Sequence, residues 1–191
     1  MDAVLIGVSD RSLLWRAGQI KETEYSEFVS EYAKFFAENF ENVIVTPDDG
    51  VYTDIAIKFG KIKDKKPVAY YPDKDTYYGI KHIEKNFQEY NLRPIDGDWY
   101  KLNADLTKQA LTVVCLGISP GVLIEAAYIK YHQSYGAYKN PKLKNIHLFF
   151  DKRTVKTDLP QGFTEQIKNF YYYSNIQELG ELIKSKKQLL E

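Results

Sequence analysis

Apolar residues in this chain fall into short continuous runs, separated by stretches in which they recur every three or four positions. Residues 3–8 form the first run, ending in Gly7-Val8-Ser9-Asp10, and predict a buried strand followed by a loop. Tyr25, Phe28, Val29, Tyr32, Ala33 and Phe36 then mark one face of an amphipathic helix that starts near Thr23 or Glu24. Residues 42–46 predict a second strand, broken by Pro47-Asp48-Asp49-Gly50, and Ile55, Ala56 and Phe59 give a helical face within 51–62. Residues 67–71 read as a third strand ended by Pro72-Asp73, and 77–87 as a helix with Ile80, Ile83 and Phe87 inward. Residues 91–97 are irregular or a short strand, and 99–110 a helix with Leu102 and Leu106 on one face. The near-continuous apolar run 111–116 is what a central strand covered on both sides requires. A loop at 117–121, a helix at 122–135, a polar connection at 136–145 and a strand at 146–150 follow. The remainder predicts a helix at 164–170, a short strand at 171–173 and a last helix. Ser174 and Gln177 have capping-box spacing at its start, and Ile176, Leu179, Leu182 and Ile183 lie on its inner face.

Strands alternate with helices throughout, with no internal repeat and no long linker. The pattern predicts an α/β fold: one domain over residues 1–191, built as an open, mostly parallel sheet with helices on both faces. In such sheets ligands sit beyond the carboxyl ends of the strands, where the strand order reverses. Three strand-to-helix loops therefore matter, at 9–12, 46–50 and 117–121.

Composition narrows the possibilities. Lys and Arg number 26, as do Asp and Glu, and a formal charge of zero argues against a protein whose main work is neutralising phosphate backbones. No apolar run approaches the roughly 20 residues of a bilayer span. Met1-Asp2-Ala3-Val4 lacks the basic start of a secretory signal. Cys115, the single cysteine, sits inside an apolar strand and reads as a buried, inert thiol. These points give the expectation of a cytoplasmic protein with neither membrane nor nucleic acid as partner. His82, His132 and His147 show no metal spacing, and no cofactor is called for. The 16 tyrosines are unusual, and read as amphipathic rings at the core edge or a subunit contact.

The strongest local feature is Leu116-Gly117-Ile118-Ser119-Pro120-Gly121-Val122-Leu123-Ile124-Glu125. A buried strand ends, a tight loop follows and a helix opens. Unpaired N–H groups and the positive dipole end at a helix start attract phosphate. Glu125 lies one turn in, and its Cα–Cβ bond tilts back toward that start, so its carboxylate can reach the crevice. Beside a ribose it can act as nucleophile, stabilise an oxocarbenium-like centre or hold sugar hydroxyls. The plainer reading is Ser119 as N-cap, Pro120 as first helical residue and Glu125 as dipole partner. Trp99 and Tyr100 open another helix. A staple or core contact is the ordinary reading, and stacking on a base the functional one.

The loop resembles that of the SLOG superfamily of Rossmann-like nucleotide-binding proteins, which includes the LONELY GUY (LOG) phosphoribohydrolases. Their hallmark is Pro-Gly-Gly-x-Gly-Thr-x-x-Glu. Here Gly121 and Glu125 match it, and the Pro-Gly-Gly opening and the threonine do not. Val4-Leu5-Ile6-Gly7-Val8-Ser9 resembles the family's first strand and Gly/Ser loop. Gly50-Val51-Tyr52, Phe59-Gly60 and Pro67-Val68-Ala69-Tyr70-Tyr71-Pro72 resemble its glycine turn, helix and proline-ended strand. Asn103 and Ala110 keep the spacing of two further motifs, so the likeness runs in order over residues 3–150.

The resemblance implies hydrolysis of the N-glycosidic bond of a nucleoside 5'-monophosphate, with Glu125 catalytic. Gly7, Ser9, Arg11, Ser12, Gly50, Lys101, Asn103, Ser119, Gly121 and Val122 would line the substrate, with Ser119, Gly121 and Val122 presenting N–H groups to its phosphate. It also implies a homodimer through helices beside the site. The departures favour a rival, a catalytically silent nucleotide-binding or sensing domain. The family's arginine falls at Leu102, with Lys101 the nearest cation and without a guanidinium's bidentate fork, and Asp48 and Asp49 stand where relatives have glycine. Residues 120–128 also resemble the Pro-Gly-Thr-x-x-Glu-x-Gly-Tyr stretch of nucleoside deoxyribosyltransferases, whose glutamate is a nucleophile.

Overall fold

The computed structural model of the chain describes residues 1–74 and 81–190. The apolar runs become seven strands: β1 (Asp2–Gly7), β2 (Asn42–Val45), β3 (Val68–Pro72), β4 (Asn91–Ile95), β5 (Thr112–Leu116), β6 (His147–Asp151) and β7 (Phe170–Tyr173). They form one sheet in the order β4-β3-β2-β1-β5-β6-β7, and every pair is parallel. The helices are α1 (Leu13–Arg16), α2 (Tyr25–Asn39), α3 (Val51–Lys63), α4 (Lys81–Glu84), α5 (Trp99–Leu106), α6 (Pro120–Ser134), α7 (Gln161–Thr164) and α8 (Ile176–Leu190).

Alternation along the strands distributes the apolar groups to two cores. Leu5, Val45, Val114 and Phe149 face α2, α3 and α8, meeting Phe36, Phe59 and Leu179. Val4, Ile6, Val113, Cys115 and Phe150 face the other way, onto Val122, Ala126 and Ile129 of α6 and Leu106 of α5. β5 is buried at all five positions, as its continuous run requires. β4, at the sheet edge, carries Pro94, which a strand tolerates where no further neighbour needs its N–H.

Some expectations are corrected. The segment 164–170 is not one helix. The helical turn ends at Thr164, and Phe170 is drawn into β7 by pairing with Leu148. The cap of α8 is Asn175, not Ser174. Asn175 Oδ1 accepts from the Glu178 N–H at 2.9 Å, and the Glu178 carboxylate accepts from the N–H of Ser174, the residue before the cap, at 2.7 Å, so the cap lies one residue later than the Ser174–Gln177 spacing suggests. The loop after β1 contains the unexpected short helix α1, which buries Leu14. Of the helix expected over 77–87, residues 77–80 lie outside the described residues. The rest holds α4 and a 3-10 turn at Phe87–Glu89. No helix among the described residues is long and apolar enough to cross a membrane.

A buried polar network ties α2 to the carboxyl ends of β6 and β7. The Tyr32 hydroxyl donates to Asp151 Oδ2 at 2.5 Å and lies 2.6 Å from the Tyr173 hydroxyl. Arg153 donates to the same carboxylate at 3.0 Å and to Glu31 at 3.1 Å, with its guanidinium over the Phe28 ring. Asp151 is completely buried, and these donors compensate the loss of water around its charge.

Gly117 links β5 to α6 with φ at +104°, and a Cβ there would come within 2.8 Å of Val8 Cγ1. Both backbone strain and the β1 loop exclude a side chain. Gly117→Ala is expected to cost about 1–3 kcal/mol of unfolding free energy. Urea titration measures this, and an unchanged midpoint would mean that the loop relaxes without penalty.

Candidate functional site

β1 and β5 lie side by side, but the chain leaves them toward opposite faces of the sheet, to α2 on one side and α6 on the other. Their carboxyl ends therefore flank a crevice that neither helix covers. It is a cleft of about 520 Å³. Leu5, Ile6, Gly7 and Ser9 come from β1 and its loop. Thr46 and Asp48 follow β2, and Tyr52 stands on α3. Trp99 and Asn103 form the α5 wall, and Ser119, Gly121, Val122 and Glu125 come from the head of α6.

The head of α6 is capped as its sequence suggests. Ser119 is the N-cap, its Oγ accepting from the Val122 N–H at 3.3 Å, and Pro120 is the first helical residue. This corrects the expectation that Val122 offers its N–H to a phosphate, because that donor is already used. Pro120 has none, which leaves the Gly121 N–H unmatched within the helix.

Glu125, one turn along, points into the cleft and is 9% exposed. Among the described residues no side chain or backbone group donates to its carboxylate, and burial pushes its pKa up to about 8. At neutral pH it is therefore mainly the uncharged acid, able both to donate and to accept a hydrogen bond. The Tyr52 hydroxyl is also buried and lies 3.4 Å from Ser9 Oγ. Burial first, and then the nearby Asp48 and Glu125 charges, raise its pKa.

Seven of the eleven residues singled out in the sequence meet here: Gly7, Ser9, Asn103, Ser119, Gly121, Val122 and Glu125. The other four lie outside the lining. Arg11 forks onto Asp54 of α3, with Nε to Oδ2 at 2.5 Å and Nη2 to Oδ1 at 2.7 Å, and Tyr25 donates to the same carboxylate. Ser12 donates to Asp10 at 2.7 Å in an exposed turn. Gly50 is buried beneath the loop, where a Cβ would meet the Val8 carbonyl and the Tyr52 ring at 2.8 Å. It lets the second loop close rather than touch a ligand. Lys101 Nζ pairs with Asp105 at 2.7 Å on the outer face of α5.

Leu102, which falls where the LOG proteins that the sequence resembles carry arginine, is fully buried. Thr46 and Tyr52 were missed as lining residues. Tyr52 reads as an ordinary helical position until the loop folds back over Ser9. Trp99 lines the cleft. Cys115 is buried as expected, its Sγ 3.4 Å from the Gly117 carbonyl. Among the described residues no cluster of His, Cys, Asp and Glu is arranged to hold a metal ion.

No protein-family model matches this chain, and no curated protein matches it by sequence. Solved structures do match it in fold. The molybdenum cofactor binding protein from the phototrophic bacterium Rippkaea orientalis superposes with a TM-score of 0.61 at 14% identity, over 96% of this chain and 95% of that one. The Moco carrier protein from Chlamydomonas reinhardtii superposes with a TM-score of 0.56 at 14% identity, over 99% and 96%. A structural-genomics X-ray structure gives 0.63 at 14% identity, over 96% and 98%. The shared feature is the Rossmann-like parallel sheet flanked by helices.

Glu125 sets a pH dependence. Its folded pKa is raised above that of an unfolded carboxyl, so the folded protein holds a proton that the unfolded chain releases from about pH 4.3 upward. This contribution is complete below that pH and is lost as pH rises through about 8, at up to about 1.4 kcal/mol per pH unit. Glu125→Gln is expected to flatten the slope between pH 5 and 8. Denaturation midpoints across that range test it, and parallel profiles for the two proteins would place the carboxyl in water.

Proposed function

We propose that this protein binds a nucleotide- or nucleoside-like small molecule in the cleft at the head of α6. The observation that carries the reading is the Glu125 carboxyl, buried at the strand-order reversal, aimed into the cleft and unpartnered among the described residues. A buried polar group of this kind is stabilised when a ligand supplies the missing hydrogen bonds. Trp99 adds a flat apolar wall on which a heterocycle can stack. The binding role is the primary reading and hydrolysis the secondary one.

Hydrolysis of an N-glycosidic bond is favoured by the position of Glu125 beside the cleft. Its uncharged state at neutral pH and the burial of Leu102 both oppose it, since attack requires the carboxylate and a leaving group benefits from a cation. The molybdenum cofactor named for two of the fold neighbours does not carry over to this chain. Neither a metal-holding cluster nor a cationic lining residue among the described residues singles it out.

Titration of the protein with nucleosides and their monophosphates, followed by tryptophan fluorescence and calorimetry, is expected to show saturable binding that Trp99→Ala weakens about 5- to 100-fold, the span of one lost stacking contact. Chromatography of the same mixtures tests hydrolysis. Release of free base that rises with pH toward 8 and disappears in Glu125→Gln would make the protein an enzyme. Binding without release makes it a carrier or sensor.

The protein is further proposed to pair with a second copy through the outer face of α6. Ile124, Tyr128, Tyr131 and Tyr135 are spaced four, three and four apart on this helix, and Tyr131 and Tyr135 are half or more exposed with their rings stacked 6.3 Å apart. Such a self-complementary stripe suits a two-fold contact. Sedimentation is expected to give a dimer at micromolar concentration and a monomer for Tyr131→Lys/Tyr135→Lys. A monomeric parent protein would refute the pairing.

A further inference from the structure

The charge balance of the cleft bears on which form of a nucleotide-like ligand it accepts. Among the described residues no Lys, Arg or His lines it. Three cations near it among the described residues are engaged elsewhere: Arg11 by Asp54, Lys85 by Asp49 at 2.5 Å and Lys101 by Asp105. The helix end is a weak anion site as well. Pro120 has no N–H, and Ser119 holds the N–H of Val122. A phosphate ordinarily gathers several such donors or a guanidinium fork.

Glu125 supplies the second observation. It is nine-tenths buried, aimed into the cleft and without a donor among the described residues. If ionised it would repel a phosphate. As the neutral acid, the state that burial favours, it offers one donor and one acceptor to a sugar hydroxyl or the amide edge of a base. Ser9, Asn103 and the Tyr52 hydroxyl offer further uncharged partners, and Trp99 an aromatic face.

We infer that the cleft selects an uncharged nucleoside-type ligand, a heterocycle bearing a sugar or sugar-like polyol, and discriminates against the same molecule carrying a phosphate monoester. This rests on the cleft being the small-molecule site proposed above and names the class of ligand it takes. A dianionic phosphate entering the cleft would give up its water for neutral donors alone, with no counter-charge among the described residues, whereas a hydroxyl in the same place gives up far less.

The experiment compares adenosine, guanosine and inosine with their 5'-monophosphates by calorimetry at pH 7 and constant ionic strength. Each nucleoside that binds is expected to do so at least about tenfold more tightly than its monophosphate, a difference of about 1.4 kcal/mol. Asn103→Arg, which places a cation in the lining, is expected to reverse the order by raising monophosphate affinity about tenfold or more. Equal or tighter binding of the monophosphates by the unaltered protein overturns the inference and leaves the binding reading intact. If neither series binds at millimolar concentration, both fall.

Discussion

The gap between the ends of β1 and β5 is the constraint around which the molecule is arranged. A parallel sheet needs a helix between successive strands, and right-handed crossovers place the helices on one face for one half of the sheet and on the opposite face for the other. Where the halves meet, no helix can lie over the strand ends. The chain must pass from Gly7 to Ser9 and from Leu116 to Ser119 without filling this space, which Gly117 permits through a backbone conformation that side chains disfavour. Glu125 is placed at the crevice one turn into α6, so its burial follows from topology and not from a local ion pair.

That origin accounts for the electrostatics of the site. Burial of a carboxyl is normally compensated by a guanidinium or several N–H donors, as for Asp151, which is held by Tyr32 and Arg153. Among the described residues Glu125 has no such compensation, and burial raises its pKa. One sheet edge thus carries two buried acids of opposite character. Asp151 is fully hydrogen-bonded and structural. Glu125 retains an unused hydrogen-bonding capacity that faces a space large enough for a small molecule.

Much of this could be read from the chain. The run 111–116 and the stop at Pro47 located strands to within a residue or two, because burial on both faces leaves a compositional mark that tertiary context does not erase. The Ser119-Pro120 start of α6 was legible for a different reason, since capping chemistry is local. What escaped depended on distant partners. Arg11 looks available in a loop, but Asp54, 43 residues away, claims it. Tyr52 carries an ordinary helical signature, and only the folding of Gly50 against Val8 brings it to the cleft. The helix pattern in 164–170 lost to pairing with β6, a long-range contact without local trace. Lys101 stands next to buried Leu102, but helical geometry turns neighbouring side chains about 100° apart, and that rotation carries it to Asp105 and solvent.

The bond between Tyr32 and the ends of β6 and β7 also constrains the order in which the fold can be completed. Its partners lie 119 and 141 residues further along the chain. Until β7 is laid against β6, Tyr32 and Asp151 would be desolvated without their full set of partners, so α2 has reason to remain loosely seated while the first half of the sheet assembles. The early helix and the late strand are thereby coupled into one cooperative step of high contact order, and loss of the far edge of the sheet would be felt at α2, on the other side of the chain's history.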